Sequence, residues 1–159
     1  MHVLLRAPNL FQKYWTDRSA REEACEADWF FTGDIGYRDE RGYVFINDRK
    51  TDVVISGGEN IYPAELEQVL DRIDGIAESS VVGAADDKWG EIPVAVVVIN
   101  QNATITVEDI LSAFNGRLAR YKHPNAGSFV PALPRNVMGK VLKHELRRAV
   151  DNGTIPLSE

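Results

Sequence analysis

The sequence is poor in cysteine and histidine, and this excludes several kinds of site. Among its 159 residues there are one cysteine, Cys25, and three histidines. A single cysteine cannot build an internal disulfide framework, and a cysteine-rich zinc site needs several thiolates. The histidines lie far apart and show no His-Glu-x-x-His spacing, which excludes a zinc protease of that type. We therefore expect no metal ligands among these residues.

Long apolar runs and a surplus of positive charge are also missing. No stretch of about eighteen apolar residues occurs, so the sequence predicts no membrane-spanning helix. The first residues show no basic segment followed by a long apolar core, so they do not predict a signal peptide. The formal net charge is −6, which argues against general nucleic-acid binding. These absences together lead us to expect a cytoplasmic protein.

The composition is that of an ordinary globular protein. Hydrophobic residues make up 44% of the chain and charged residues 26%, so disorder is not expected as its main state. The length fits one domain, or one domain together with part of another.

The first third of the chain differs in character from the rest. Residues 1–50 are rich in aromatic and turn-forming residues, and 16–27 predict a charged surface helix or loop. Short strands are predicted at residues 3–5, 29–31 and 42–46, with a turn at 39–42. Because this part has too few apolar runs for a core of its own, we expect it to be the β-rich end of another domain.

Residues 51–150 predict a compact α+β domain, and residues 151–159 a flexible tail. Pro63 suits the first turn of a helix, and Leu66, Val69, Leu70 and Ile73 form one apolar helical face. Thr106 and Asp109 have the spacing of a capping box at the start of a second helix. The apolar face predicted for that helix consists of Val107, Ile110, Leu111, Phe114 and Leu118. Strands are predicted at 53–56, 76–83, 92–99 and 128–130, a glycine-containing loop at 137–140, and a basic helix at 143–150.

Standard catalytic motifs are absent. Gly139 and Lys140 do not belong to a Walker loop, because Pro134 stands where its first glycine is needed and Val141 replaces the Ser or Thr. The pair Gly57-Gly58 is not a dinucleotide-binding fingerprint, and no Gly-x-Ser-x-Gly elbow occurs. Spacing rules alone therefore predict only an α+β domain.

Two charged patches have both a structural and a functional interpretation. Asp34, after Thr32-Gly33, either caps the following turn or accepts two hydrogen bonds from a ribose diol. The segment 48–52 is either a solvated hairpin tip or a hinge whose Arg49 reaches a nucleotide.

Two glycine-containing patches leave the same choice open. Gly57-Gly58 forms either a strand-to-helix turn or a place where backbone approaches a ligand closely. Lys140 is either an ordinary surface lysine or a mobile cation that neutralises charge building on a phosphate in a partner's pocket.

Taken together and in this order, the patches resemble the C-terminal third of acyl-adenylate-forming enzymes. This family includes acyl-CoA synthetases, 4-coumarate-CoA ligases, luciferases and peptide-synthetase adenylation domains. The similarity covers about residues 7–150, and its glycine motif is most like that of fatty-acyl and aryl-CoA ligases. It rests on Thr32-Gly33-Asp34, Asp48-Arg49, the run from Ser56 to Glu65, Pro134-Arg135-Asn136 and Gly139-Lys140.

The resemblance implies a two-step reaction. A carboxylic acid attacks ATP with the help of Mg²⁺ to give acyl-AMP, and the thiol of coenzyme A then displaces AMP. On this resemblance Asp34 holds the ribose hydroxyls of the nucleotide and Arg49 contacts its ribose and phosphate side. Lys140 is then the catalytic residue of the first step, because its charge stabilises the adenylation transition state.

The same resemblance assigns residues to the second step. Thr51 matches the hinge about which the C-terminal lid domain turns between the steps, although the family often has Asp or Lys there. Gly57 and Gly58 then line the pantetheine tunnel, while Trp89 stacks on the CoA adenine and Tyr121 contacts the nucleotide.

The resemblance also implies a missing partner. The family's phosphate loop, acyl pocket and Mg²⁺ site lie in an N-terminal domain, of which residues 1–50 are expected to be a short β-rich remnant. We therefore expect little or no synthetase activity from this chain alone. Two alternatives remain open: a fatty-acid AMP ligase that loads a carrier protein, and a non-catalytic truncated module that binds a partner.

Overall fold

The computed structural model describes residues 1–12, 14–15 and 19–158. The chain divides into two compact units, Met1–Thr51 and Asp52–Glu159. The sequence placed this boundary one residue earlier, between residues 50 and 51. Among the described residues, no helix has the length and apolar character needed to cross a membrane.

The first unit, Met1–Thr51, is built around one long strand. This strand, β3 (Trp29–Arg38), pairs antiparallel with β1 (His2–Leu5), β2 (Cys25–Glu26) and β4 (Val44–Arg49). A short helix, α1 (Ser19–Ala24), precedes β2. The predicted strands thus exist, and the central one is much longer than predicted. Residues 16–18 of the predicted surface helix or loop lie outside the described residues.

The predicted turn between β3 and β4 is confirmed. The Asp39 carboxylate oxygen Oδ1 accepts the backbone N–H groups of Arg41 at 3.0 Å and Tyr43 at 2.8 Å. The backbone carbonyl of Asp39 accepts the N–H of Gly42. A short aspartate side chain in this position closes the turn from inside.

The first unit buries little of its apolar surface. Among the described residues of this unit, Gly36 alone is buried. The Phe45 carbonyl lies so close to it that an added Cβ would clash. Large side chains on β3 and β4 stay exposed, among them Tyr37, Val44 and Ile46. This agrees with a sequence that has too few apolar runs for a core.

The second unit, Asp52–Glu159, contains a five-stranded sheet. Its strands are β5 (Val54–Ser56), β6 (Glu59–Ile61), β7 (Ile76–Asp86), β8 (Gly90–Ile99) and β9 (Ala126–Phe129). The order runs β6-β5-β8-β7, and β9 also pairs with β8, in parallel. The helices are α2 (Pro63–Leu70), α3 (Val107–Ser112) and α4 (Lys143–Asp151), with a 3₁₀ turn at Arg120–Lys122. The predicted α+β fold is confirmed.

Strand β8 is buried on both faces. Ala95 and Val97 belong to a core cluster that includes buried side chains of α2 and α3. Val94 and Val96 belong to a second cluster on the opposite face, with Leu146 of α4. A strand covered on both faces needs an unbroken apolar run rather than an alternating one. Burial on both faces therefore explains the continuous apolar run over 92–99, which the sequence predicted as a strand.

The predicted capping box at the start of α3 is confirmed. The Thr106 hydroxyl accepts the N–H of Asp109 at 3.2 Å, and the Asp109 carboxylate accepts the N–H of Thr106 at 2.9 Å. The Thr106 hydroxyl also donates to that carboxylate at 2.7 Å. This side-chain hydrogen bond, followed by the backbone one, lowers the pKa of Asp109 below its ordinary 3.8.

Several element ends differ from the prediction. Helix α2 ends at Leu70 and α3 at Ser112, so Ile73, Phe114 and Leu118 follow the helices rather than continue them. They still pack against the first core cluster. Strand β9 begins at Ala126, two residues before the predicted start. Apolar periodicity predicts which side chains are buried. It does not predict where a helix ends, because a side chain can also be buried from the turn that follows the helix.

The end of the chain is tied to the sheet, whereas the sequence predicted a flexible tail over 151–159. Asp151 is the last residue of α4. Ser158 exchanges two backbone hydrogen bonds with Gly127, at 2.9 and 3.0 Å. Ile155 packs against the second core cluster. This apolar contact and the two backbone hydrogen bonds together hold the last residues beside the sheet.

Limited proteolysis should distinguish the two units. We expect the first cuts within Met1–Thr51, because its side chains and backbone are poorly buried, while Asp52–Glu159 survives as a resistant product. Mass spectrometry of a protease time course measures this. Early cuts within β7 or β8, or equal resistance of both units, would contradict the expectation.

The capping box should make stability depend on pH in acid. A lowered folded-state pKa means that ionised Asp109 stabilises the fold above its unfolded pKa, and that this contribution is lost as the pH falls through the folded pKa. The melting temperature of Asp109→Asn should therefore lie below that of the wild type at about pH 6, and the difference should shrink towards about pH 3. Asp74→Asn serves as the control. A difference that grows in acid would contradict the assignment.

Candidate functional site

A groove of about 800 Å³ opens on the second unit. It unites three residues that the sequence singled out from separate segments, namely Gly57, Trp89 and Tyr121. The other residues that line it are Ser56, Glu59, Glu108, Leu111, Ser112, Asn115, Arg120, His123, Pro124 and Asn125. Long aromatic faces beside polar groups suit a flat, polar ligand such as a nucleotide base.

The indole of Trp89 lies directly against the backbone of Gly57. The N–H of Gly57 donates to the Trp89 carbonyl at 2.8 Å. A Cβ at Gly57 would lie 2.8 Å from the ring atom Cε3, and its φ of +58° also favours glycine. The missing side chain at Gly57 therefore sets where the indole sits. The Lys88 ammonium lies 4.6 Å from the centre of the Trp89 ring.

Gly58 needs to be glycine for a different reason. Its φ is +87°, and nothing lies within 4 Å of an added Cβ. The backbone conformation, and not a neighbour, thus requires glycine here. Gly58 does not line the groove.

An ion pair fixes the 3₁₀ turn that carries Tyr121. Lys122 Nζ lies 2.7 Å from Glu65 Oε2 and 2.9 Å from Glu65 Oε1. Because Glu65 lies in the first turn of α2, this pair joins the turn to the domain core. The exposed Tyr121 ring can then face the groove from a fixed backbone.

Of the charged residues of the groove, the motifs include only Glu59, in the run from Ser56 to Glu65, and they assign it no role. Glu59, Glu108 and Arg120 bring two carboxylates and one guanidinium to its wall. His123 also lines it, with Nε2 held 3.0 Å from the Leu118 carbonyl oxygen. For Arg120, the sequence signal was that Tyr121 has a basic residue on each side. Such a pattern is typical of any exposed turn.

Asp34 and Arg49 are cross-strand partners in the first unit. They face each other in the β3–β4 register, and Arg49 Nε lies 3.3 Å from Asp34 Oδ1. The Asp34 N–H donates to the Thr32 hydroxyl at 3.0 Å. A carboxylate and a guanidinium held side by side can contact adjacent hydroxyl and phosphate groups of one ligand. Asp34 also lines a cavity of about 260 Å³ with residues that include Gly33 and Lys50.

Lys140 is exposed at the end of a tight turn in the second unit. The Asn136 side chain oxygen accepts the N–H groups of Met138 at 3.0 Å and Lys140 at 2.9 Å. The Gly139 N–H donates to the Asn136 carbonyl at 2.9 Å. Val137 and Met138 are 105% and 88% exposed. The turn thus holds its backbone in one shape and presents a cation beside two exposed apolar side chains.

Thr51, the predicted hinge, is the last residue of the first unit. The described residues contain no cluster of three or more histidine, cysteine or acidic side chains that could hold a metal ion. The structure thus unites Gly57, Trp89 and Tyr121 in one groove and Asp34 with Arg49 in one strand pair. Lys140 lies in its own turn in the second unit.

Comparison with known proteins gives a consistent result. Residues 65–140 match the family described as AMP-binding enzyme C-terminal domain. The chain is 44% identical over 152 residues to an indoleacetate–CoA ligase of Aromatoleum aromaticum, covering 96% of this chain and 30% of the relative. It is 44% identical over 154 residues to a long-chain-fatty-acid–CoA ligase of Mycobacterium tuberculosis, covering 97% and 30%.

Solved structures show the same relationship. ATP-bound MatB from Rhodopseudomonas palustris superposes with a TM-score of 0.85 at 42% identity, over 92% of this chain and 29% of that one. The o-succinylbenzoate–CoA synthetase of Bacillus subtilis, solved with its acyl-adenylate, also gives 0.85, at 38% identity over 92% and 30%.

The chain spans about 30% of the length of the curated relatives it matches. It corresponds to the C-terminal part of AMP-forming CoA ligases, which are acid–thiol ligases. The domain match, the sequence identities and the shared α+β fold show that this chain carries the AMP-binding enzyme C-terminal domain, matched over residues 65–140.

Proposed function

We propose that this chain acts as the C-terminal part of an AMP-forming acid–CoA ligase and depends on an N-terminal domain for the ATP and acyl pockets. The observation that carries the proposal is the groove of the second unit. Gly57, Trp89 and Tyr121, which the family resemblance assigns to coenzyme A, come from separate segments and line that one groove.

In the first step, a carboxylate oxygen of the acid attacks the α-phosphorus of ATP, and pyrophosphate leaves. Negative charge builds up between the two anions, and the ammonium of Lys140 stabilises it. Asp34 accepts hydrogen bonds from the ribose hydroxyls, while the Arg49 guanidinium contacts the ribose and phosphate side. Mg²⁺ would supply further charge neutralisation from the N-terminal domain, since the described residues do not fit its ligand set.

In the second step, the coenzyme A thiol attacks the carbonyl carbon of the acyl-adenylate, and AMP leaves. Trp89 offers the CoA adenine an exposed ring on which to stack, and Tyr121 contacts the nucleotide. The pantetheine chain would run along the backbone of Gly57 and past Gly58, where nothing lies within 4 Å of an added Cβ. Thr51, at the boundary of the two units, is the proposed hinge of the second unit. Rotation about it between the steps would move Lys140 away from the reacting groups and bring the groove towards them.

The acid itself is selected outside this chain. The two curated relatives share the same 44% identity with it, yet one is named for indoleacetate and the other for long-chain fatty acids. A segment that is equally similar to both does not encode the difference between their substrates. We propose a hydrophobic carboxylic acid, with fatty acids as one class, chosen by the N-terminal acyl pocket.

Coenzyme A is a better acceptor for this chain than a carrier protein. A carrier protein presents its pantetheine without the adenine nucleotide, so it has no use for an exposed indole beside a glycine backbone. The non-catalytic alternative is disfavoured because Asp34, Arg49, Gly57, Gly58 and Lys140 are all present, and a module that only binds a partner does not need them together.

A graft tests the proposed function. Residues 1–159 replace the matched C-terminal segment of the Bacillus subtilis o-succinylbenzoate–CoA synthetase, and o-succinylbenzoate is the acid. We expect the graft to catalyse ATP–pyrophosphate exchange and thioester formation, while the acceptor without that segment and this chain alone do neither. A folded graft that is silent in both assays would contradict the proposed function.

Lys140→Ala in the graft should separate the two steps. We expect ATP–pyrophosphate exchange to fall at least about a hundredfold, because a charge that acts only in the adenylation transition state is lost. Thioester formation from supplied acyl-adenylate should stay within about twofold of the parent. Arg148→Ala, which removes an exposed cation on α4, is the control. Equal loss in both steps would refute the role of Lys140.

Gly57→Ala should weaken coenzyme A binding by displacing the Trp89 ring. Stacking of a base on an aromatic ring is worth about 1–3 kcal/mol, so we expect affinity to fall by about fivefold to about a hundredfold. Calorimetric titration of this chain with coenzyme A measures the effect. Gly153→Ala has a similar φ of +75° and nothing within 4 Å of the added Cβ, so it controls for backbone strain. Equal weakening by both variants would contradict the contact.

A further inference from the structure

We infer that Arg135, held by Glu78, is a positioning residue that sets the direction in which the Lys140 turn points. The inference rests on the proposed role of Lys140. It concerns a contact outside the groove and outside the Asp34–Arg49 pair. Arg135 joins the turn to the sheet through one side chain.

The turn belongs to a short hairpin that is closed by backbone hydrogen bonds. Arg135 and Val141 form an antiparallel bridge, and the Leu142 N–H donates to the Pro134 carbonyl at 2.8 Å. Near the tip, the Asn136 N–H donates to the Lys140 carbonyl at 2.9 Å. These bonds fix the shape of the hairpin. They do not fix its direction relative to the sheet, because all of them lie within it.

At its base the hairpin packs against the second core cluster through Val141, and near its tip the Arg135 guanidinium connects it to the sheet. Its Nη1 donates to the backbone carbonyl of Gly139, the residue before Lys140. Its Nη2 donates to Glu78 Oε2 on β7 at 2.6 Å. A planar guanidinium with donors on both sides can make these two contacts at once, and a lysine ammonium on a flexible stem reproduces that geometry poorly.

A break in the register of β7 places Glu78 where this contact needs it. Ile76 pairs with Ile99 and Glu78 with Val98, so two steps on β7 face one step on β8. In regular pairing Ile76 and Glu78 would share a face. The bulge lets Ile76 pack against the first core cluster while Glu78 keeps the face of Val82, in the second cluster. Bulges of this kind re-aim single side chains beside functional sites.

The contact contributes more to placement than to stability. The side chains of Arg135 and Glu78 are each 41% exposed, and ion pairs this exposed stabilise a fold weakly. A catalytic charge that is displaced by about an ångström can lose about a hundredfold in rate. Loss of Arg135 should therefore change the position of the turn and the adenylation rate while the fold stays intact.

The first test uses this chain alone and does not depend on catalysis. NMR relaxation should show the Met138 and Gly139 amides near an order parameter of about 0.85 in the wild type, and below about 0.6 in Arg135→Gln and Glu78→Gln. Arg147→Gln is the control. It breaks a comparable ion pair, in which Arg147 Nη1 lies 3.5 Å from Glu91 Oε1, and it should leave the order of the Met138 and Gly139 amides unchanged. Unchanged order in both Arg135→Gln and Glu78→Gln would overturn the inference.

The second test measures the two steps in the graft. Arg135→Gln should lower the kcat of adenylation about ten- to a hundredfold, with the KM values for ATP and acid and the rate of thioester formation within about twofold. Arg147→Gln should match the parent. A loss of the same size in both steps would mean that Arg135 serves only the fold.

A charge exchange distinguishes placement from simple ion pairing. Glu78→Arg combined with Arg135→Glu can form the salt bridge again, but a carboxylate at position 135 cannot donate to the Gly139 carbonyl. We expect adenylation to stay low although the ion pair is restored, and the melting temperature to stay close to that of the wild type. Restored adenylation in the exchanged pair would overturn the inference. Failure of the graft itself would refute the proposed function and leave the NMR test of the turn decisive.

Discussion

Burial of β8 on both faces is the constraint on which the second unit depends. Val94 and Val96 face one core cluster, and Ala95 and Val97 face the other. A strand that is covered twice needs partners on both faces, and α2 with α3 on one side and α4 on the other supply them. Its antiparallel partner β7 and its parallel partner β9 are placed by the same burial. The groove and the Lys140 turn are carried by segments that leave this core.

Charged side chains fasten those segments to the core. Glu67 on α2 accepts the Val81 N–H at 2.8 Å and lies 2.7 Å from Lys143 Nζ on α4, so it joins a helix, a strand and a second helix. Glu65, two residues earlier in the same helix, holds the turn that carries Tyr121 through its ion pair with Lys122. Partly buried pairs such as these are costly to break when only one partner is removed. They give exposed functional residues a fixed backbone.

The fold was largely predictable because its signals are local or strongly periodic. The apolar run over 92–99, the capping box at Thr106 and Asp109, and Pro63 at the start of α2 each depend on neighbours within a turn or a strand. Helix ends were not predictable, since Phe114 and Leu118 are buried from a turn as well as from a helix. The ordered end of the chain was missed for a related reason: its anchors are the apolar contact of Ile155 and the backbone hydrogen bonds of Ser158, in a stretch too short to show a periodic pattern.

The sequence by itself determined the family, the two-part organisation and the residue types at the proposed sites, because these are carried by motifs of contiguous residues. Only the tertiary structure decided which of them meet. It brought Gly57 against Trp89. It placed Glu59 and Arg120 in the groove wall, and a strand bulge brought Glu78 to Arg135. These contacts join residues that are distant along the chain, and their geometry follows from sheet register and core packing, which no local pattern encodes.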